Sequence, residues 1–490
     1  MKRIPLLVLI MLVITSPALC DNPVTFDQYF EDATLRIDYV HVGDAAEEWI
    51  AIDRLYHNDV WGGSLQNLVD PFNNGKYFIK VYAADTNTLI YARGFNSIFG
   101  EYVTTGPALK GEKRAFHETA LIPAPKAAVK FTVERRQRDN TLVPVFEQIV
   151  DPADVNIIRG VQPSDVEAVH LVGDGDPHTS MDLVIVPDGY TAAEKDTAIA
   201  DARYFAEKLL DMAPFDRYKD RINVTCTFRA SQDSGPSMPT RGVYHRTVAG
   251  ASFNALNLPR YMLTDDNRNF RDIACTVPHD IAVIMVNSDR YGGGGIFNFF
   301  CTFTAHNSRK DYLFLHEFGH AFAGLADEYY SSNVSYEDFY PRGVEPVEPN
   351  ITALLDPDNL KWKDLITPGT PIPTDWGKAE YDAANMAYQQ KRRELDDRVA
   401  RLTREGADEE EITKAKEEAD ALSKANADRY NKLFKESDLK DVVGAFEGAG
   451  YMSEGFYRPQ LDCIMFSSGV KPYCRVCERA VEARLKWYLE

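Results

Sequence analysis

Five stretches in the first third of the chain alternate apolar and polar residues with period two: 34–42, 76–82, 88–92, 127–133 and 142–150. Each reads as a half-buried strand, because successive side chains of a strand point to opposite faces. Polar turns separate them, among them Asp85-Thr86-Asn87 and the run 136–140. Short strands with such turns and no helical period predict an all-β sandwich over residues 24–160. His41, His57 and His117 stand alone within it, and an isolated histidine reads as solvated or satisfied rather than as a ligand.

The pattern then changes class. Residues 161–179 turn rich in Asp, Gly and Pro and read as an interdomain linker. Met181-Asp182-Leu183-Val184-Ile185-Val186-Pro187 is a buried-strand run, and 222–228 and 279–286 are further strands. Thr191 with Glu194 three residues on makes a capping box, and the helix after it sets Ala198, Ala202, Phe205, Leu209 and Leu210 on one face. Residues 175–490 are therefore expected to form an α/β domain. Inside it, 378–436 predicts a helical hairpin insertion. Leu395, Val399 and Leu402 make one stripe, Gly406 suits a stop, Asp408 and Glu411 a start, and Ile412, Ala415, Ala419 and Leu422 a second stripe. Such a hairpin packs mainly on itself as a solvated addition; a docking arm for a partner is the sharper alternative.

Composition narrows the function. The 490 residues suffice for two or three cores, and a formal net charge of −20 excludes nucleic acid as the expected partner. Lys2 and Arg3, the apolar run 4–14 and the small residues before Cys20 predict a cleaved signal peptide over 1–20. The protein is thus expected in the periplasm, at the cell surface or outside the cell, with Cys20 as a lipoprotein anchor in the alternative. No other segment approaches the length of a membrane span. Beyond Cys20 the cysteines form an even set: 226, 275, 301, 463, 474 and 477. No second Cys-x-x-Cys accompanies Cys474 and Cys477 to complete a zinc ribbon, so a disulfide is the better reading, with connectivity open.

The chemistry concentrates in His316-Glu317-Phe318-Gly319-His320. Residues four apart share a helix face, so both imidazoles can meet one ion, and zinc suits neutral imidazole while keeping an open position for water. Glu317 adjoins the first histidine and can reach that water as a general base. Gly324 breaks the helix and turns the chain back, after which Asp327, or in the alternative Glu328, supplies an oxygen ligand. Tyr457 is a candidate donor to the oxyanion of a tetrahedral intermediate, and Arg458 has similar standing. Gly292 to Gly295 lack the Gly-Lys-Ser/Thr of a nucleotide loop; the strand after them, 299–305, is a candidate edge for an extended peptide.

The zinc helix, its glycine turn, the acidic third ligand and the later Met465 look like a metzincin-type zinc peptidase with a methionine turn below the site. More narrowly, His-Glu-Phe-Gly-His with Gly-Leu-Ala-Asp-Glu-Tyr, then Tyr-Arg-Pro and Cys-Ile-Met, resembles the bacterial IgA-peptidase family of metallopeptidases. The resemblance covers roughly 25–375 and 437–490 and implies a β-rich amino-terminal domain before the peptidase domain. Gly324 and Asp327 lie eight and eleven positions after His316, one more than the metzincin pattern, which leaves the third ligand the open point. The expectation is an exported zinc peptidase acting on protein or peptide, with Zn2+ on His316, His320 and Asp327 and a glycan or peptide contact through the sandwich left open. The rival is a surface binding or adhesion protein that keeps the fold without turnover; an intact Glu317 speaks against it.

Overall fold

The computed structural model describes residues 24–160, 163–330 and 340–490; the expected signal peptide and Cys20 lie outside the described residues. The amino-terminal region starts with one helical turn, α1 (Phe26–Tyr29), and strands β1 (Phe30–Gly43), β2 (Glu48–Asp59), β3 (Tyr77–Ala83) and β4 (Leu89–Phe95). Two short helices follow, α2 (Ile98–Tyr102) and α3 (Gly106–Leu109), then β5 (Arg114–Pro125), β6 (Val129–Arg136), β7 (Leu142–Val150) and β8 (Ile158–Arg159). They form two four-stranded sheets, β5-β1-β2-β8 and β4-β3-β6-β7. Leu35, Ile37 and Tyr39 of β1 share one buried cluster with Val81, Phe131 and Val133 of the second sheet.

Besides the two-residue β8, two strands escaped the sequence pattern, and each for a physical reason. In β2 the register against β1 skips at Asp53, a bulge that breaks the alternation. In β5 the run Ala120 to Pro125 is buried almost throughout, so no polar face marks it as a strand. The polar face of β1 is not solvated either. Arg36 there pairs with Asp38 at 2.6 Å and with Asp272 of the second region at 2.6 Å; Arg36 and Asp38 are nearly sealed from water, while Asp272 is 32% exposed. The sandwich thus spends that face on its neighbour.

The second region is built on a six-stranded sheet, ordered β15-β16-β14-β10-β11-β9. In chain order its parts are β9 (Glu167–Val172), β10 (Met181–Asp188), α4 (Lys195–Leu210), β11 (Ile222–Phe228), a small ladder of β12 (Ala251–Phe253) with β13 (Met262–Thr264), and α5 (Asn267–Ala274). Then come β14 (Ile281–Val286), β15 (Gly293–Ile296), β16 (Phe300–Thr304) and α6 (Lys310–Ala323). Strands β10, β11, β14 and β16 run parallel, and β9 and β15 close the two edges antiparallel. Part of the expected linker is therefore sheet: Glu167–Val172 pairs with β11.

The central strand shows why its sequence is apolar without a break. Met181, Leu183 and Ile185 of β10 enter the cluster under α4 and α6, while Val184 and Val186 enter another with Phe270 and Ile273 of α5. A strand covered on both faces has no polar side to display. The predicted capping box forms as well: the Thr191 main-chain N–H donates to Glu194 at 2.8 Å just ahead of α4.

The chain ends with α7 (Lys378–Glu405), α8 (Glu409–Glu436), the hairpin β17 (Val443–Ala449) and β18 (Met452–Gln460), and α9 (Arg475–Leu489). Helices α7 and α8 are antiparallel, since Arg398 meets Glu418, Tyr388 meets Ser423 and Tyr381 meets Tyr430. Gly406 takes the left-handed conformation at the turn (φ 68°). Asp408 stands at the start of α8, though its side chain makes no capping bond. The expectation that the pair packs mainly on itself needs correction at its root. Tyr430 and Phe434 are buried in the peptidase core, and Tyr381 lies against Phe466.

Candidate metal and active site

Helix α6 carries His316, Glu317 and His320 and ends where Gly324 adopts φ 63°. The Gly324 N–H donates back to the His320 carbonyl at 3.0 Å, and the chain doubles over the helix end. That reversal presents the Leu325 carbonyl to His320 Nδ1 at 2.6 Å. His316 Nδ1 meets the Ile464 carbonyl at 3.0 Å. A carbonyl only accepts, so both imidazoles carry their proton on Nδ1 there and turn the other nitrogen inward.

The inward atoms converge. His316 Nε2 and His320 Nε2 are 3.2 Å apart, and Asp327 Oδ1 lies 3.1 Å from the first and 3.2 Å from the second. Ligands about 2.0 Å from a tetrahedral zinc stand about 3.3 Å from one another. The three donors thus have the spacing of one face of such a tetrahedron, and their chemistry, two imidazoles and a carboxylate, fits the metal. The extra residue before Gly324 lies in the last turn of α6, which runs to Ala323.

Electrostatics bind the cluster together. Burial opposes the charge of Asp327, yet the two imidazoles facing it hold its carboxyl well below the usual carboxylate range. Burial also lowers His320, but the charge and hydrogen bond of Asp327 raise it to about 9. Burial pushes the Glu317 carboxyl up; the imidazoles pull it back, and the charge of Asp327 adds to the rise. Glu317 itself is half-buried, one position from His316.

Close approach explains the glycines. A side chain at Gly295 would collide with the Glu317 carbonyl and the His320 Cβ, at 2.4 and 2.8 Å. One at Gly293 would press on the Glu317 side chain at 3.2 Å. The glycine run is therefore the strand that crosses the helix beside these residues. It also corrects the expected peptide-binding edge: 300–304 is an inner strand, and Gly293–Ile296 forms the edge beyond it. Below the helix, Gly319 leaves room for Met465, whose sulfur would stand 3.2 Å from a Cβ there. Met465 is fully buried.

The sequence overlooked several groups. Tyr451 donates its hydroxyl to Asp327 Oδ2, and the ring of Tyr329 lies nearly parallel to His316 at 6.3 Å. The exposed Arg260 is close enough for its charge to act on Asp327, Glu317 and Tyr329. No residue pattern announces the carbonyls of Leu325 and Ile464, since every residue has one. Tyr457 is half-buried in β18 opposite Glu447, its main chain paired with Thr352. Arg458 is fully buried, donates to the carbonyls of Glu447, Gly448 and Leu461, and lies 3.7 Å over Phe466. These hydrogen bonds make it an anchor of the β17–β18 hairpin.

Glu328, the alternative third ligand, points elsewhere. Its Oε1 accepts from Asn350 at 3.0 Å and lies 3.1 Å from Cys477 Sγ. Among the described residues two groups could each hold an ion: His316, His320 and Asp327, and Glu328 with Cys463, Cys474 and Cys477.

A family model described as IgA Peptidase M64 matches residues 169–485, and a second, described as Peptidase M64 N-terminus, matches 25–147. The chain belongs to the IgA peptidase M64 family. Its two regions are accordingly the amino-terminal domain and the peptidase domain of that family, and the protein is a metallopeptidase. A search of curated proteins finds no match. Among the described residues of this M64 peptidase no helix is long and apolar enough to cross a membrane.

Proposed function

We propose that this M64 peptidase is an exported zinc-dependent endopeptidase, with His316, His320 and Asp327 as the metal ligands and Glu317 as general base. One observation carries the reading: three inward donors 3.1–3.2 Å apart, two of them held in orientation by main-chain carbonyls. Bound to them, zinc would polarise the scissile carbonyl and acidify a water molecule.

The remaining work falls to the chain. Glu317, half-buried beside the ligands, takes a proton from the attacking water and returns it to the leaving amine. The carbonyls of Ile464 and Leu325 keep the imidazoles from rotating, and Tyr451 holds the second oxygen of Asp327. The glycine edge strand beside Glu317 suits an extended peptide, whose main chain would pair with β15 beyond the bridge that Gly293 makes with Tyr261. Export rests on the composition of residues 1–20.

The rival reading, a binding protein without turnover, requires only a shaped surface and gives Glu317 no task. Glu317→Gln separates the two. The reading expects full zinc content with hydrolysis of a peptide library abolished; a wild-type protein that binds zinc and cleaves nothing in the library would favour the rival.

A further inference from the structure

We propose that Glu328, Cys463, Cys474 and Cys477 form a second, closed metal site that takes zinc or a similarly thiophilic divalent ion and has a structural role. One donor atom from each lies within 4.8 Å of all the others. Glu328 and Cys477 are fully enclosed, Cys463 is 1% exposed and Cys474 6%. Zinc with three sulfurs at about 2.3 Å spaces them about 3.8 Å apart, so a small contraction completes the set. Four protein ligands leave no position for water or substrate, which is the mark of a structural rather than a catalytic ion.

Two further observations point to a ion here. Glu328 Oε2 is buried and without a hydrogen-bond partner, while its Oε1 faces the thiols, 3.1 Å from Cys477 Sγ and 3.9 Å from Cys474 Sγ. A carboxyl left partly unpaired in the interior is costly, and a cation bound to the group offsets that cost. Main-chain N–H groups also point at the sulfurs: Cys474 N–H at Cys463 Sγ (3.2 Å) and Cys477 N–H at Cys474 Sγ (3.5 Å). Such donors favour thiolate over thiol, and Cys474 caps the start of the 15-residue helix α9, where the helix field has the same sense. Three thiolates and a carboxylate around a divalent ion leave a net charge of −2, and the buried Arg458 guanidinium acts on Glu328 to offset part of it.

A disulfide, the expectation from the sequence with its connectivity open, explains less. The structure holds all three as thiols. A disulfide between any two of these cysteines would leave the third and the Glu328 carboxyl unanswered. A metal uses all four groups and joins three distant segments. It would tie the chain just past Asp327 to Cys463, next to the Ile464 carbonyl that orients His316 and the Met465 carbonyl that accepts from Glu328 N–H at 2.8 Å. Positioning of the first cluster would then depend on the second.

The test is metal analysis of the full chain purified without chelator. About two zinc equivalents are expected for wild type, about one for the double variant His316→Ala/His320→Ala, and about one for Cys463→Ser or Glu328→Gln. Growth with cobalt adds a second readout: the thiolate-to-cobalt absorption in the near ultraviolet should persist in the histidine double variant, which leaves the cysteine cluster untouched. Peptide mapping of the wild-type chain should find the three cysteines unpaired. A Cys474–Cys477 disulfide, or zinc that vanishes wholly with the two histidines and never shows the sulfur absorption, would overturn the proposal while leaving the peptidase reading intact.

Discussion

Asp327 and Glu328 are consecutive carboxylates, both nearly or fully enclosed, yet they serve clusters of opposite character. Asp327 meets two imidazole nitrogens, with His320 15% exposed and Glu317 half-buried beside it. Glu328 lies with three buried cysteines, none more than 6% exposed. Burial pushes the Glu328 carboxyl well up, whereas the imidazoles hold that of Asp327 well down. The difference is instructive. One side chain faces the two imidazoles, the other the cysteines, and on the proposed reading a change of one residue in the chain exchanges chemistry for structure. Resemblance to a motif could not make this distinction, because both residues are carboxylates at the right distance from the helix.

The comparison can be broken most severely at its catalytic side. Glu317→Ala should lower kcat for peptide cleavage by about 10²–10⁴-fold while metal content stays at the wild-type value. Unchanged turnover would remove the general base and with it the chemical half of the contrast.

Ligand substitutions sharpen it next. Asp327→Ala should strip metal from the imidazole cluster and end turnover, with the cysteine cluster still loaded. A chelator titration of wild type should likewise empty the more exposed cluster first, followed as metal released against time. Release from both at one rate would mean that exposure does not separate them.

Smaller effects concern the tyrosines. Tyr451→Phe removes the hydroxyl bonded to Asp327 and should weaken metal affinity about 10–100-fold, as loss of a ligand's own hydrogen-bond partner does. Tyr457→Phe, half-buried opposite Glu447, should leave affinity unchanged. A fall in kcat alone for the latter would restore the oxyanion role that its sequence context suggested.

The least effect is expected from the outer hairpin. Replacing residues 388–424 with a short flexible linker should leave metal content and small-peptide cleavage nearly intact, since loop length costs only about 0.6 kcal/mol per doubling. The root must stay: Phe434→Ala, by opening the buried contact with Phe466, should cost about 3–5 kcal/mol of stability in a denaturant melt. A selective loss on large folded substrates after the outer deletion would make the hairpin a recognition arm.

Much of the fold was legible because it is local. A strand's period of two and a helix's period near four are set by backbone geometry, so β1, β3, β10, α4 and the paired histidines could be read from spacing alone. The failures occur where a distant neighbour changes what a residue means. Asp53 interrupts β2 with a bulge, and Glu167–Val172 looked like linker until it paired with β11. The buried root of α7 and α8 depends on Phe466, which no helical stripe can foretell.

By itself, then, the sequence determined the two-region order, the spacing of His316 and His320 on the α6 helix and the resemblance to the family. Helix pitch is a property of the chain at that point and needs no partner to bring His316 and His320 together. Only the tertiary structure decided which carboxylate joins them, which carbonyls orient them, and that Cys463, Cys474 and Cys477 gather around Glu328. Those groups lie up to 149 residues apart, and their meeting depends on the path by which α9 and the 463–465 segment return beneath α6.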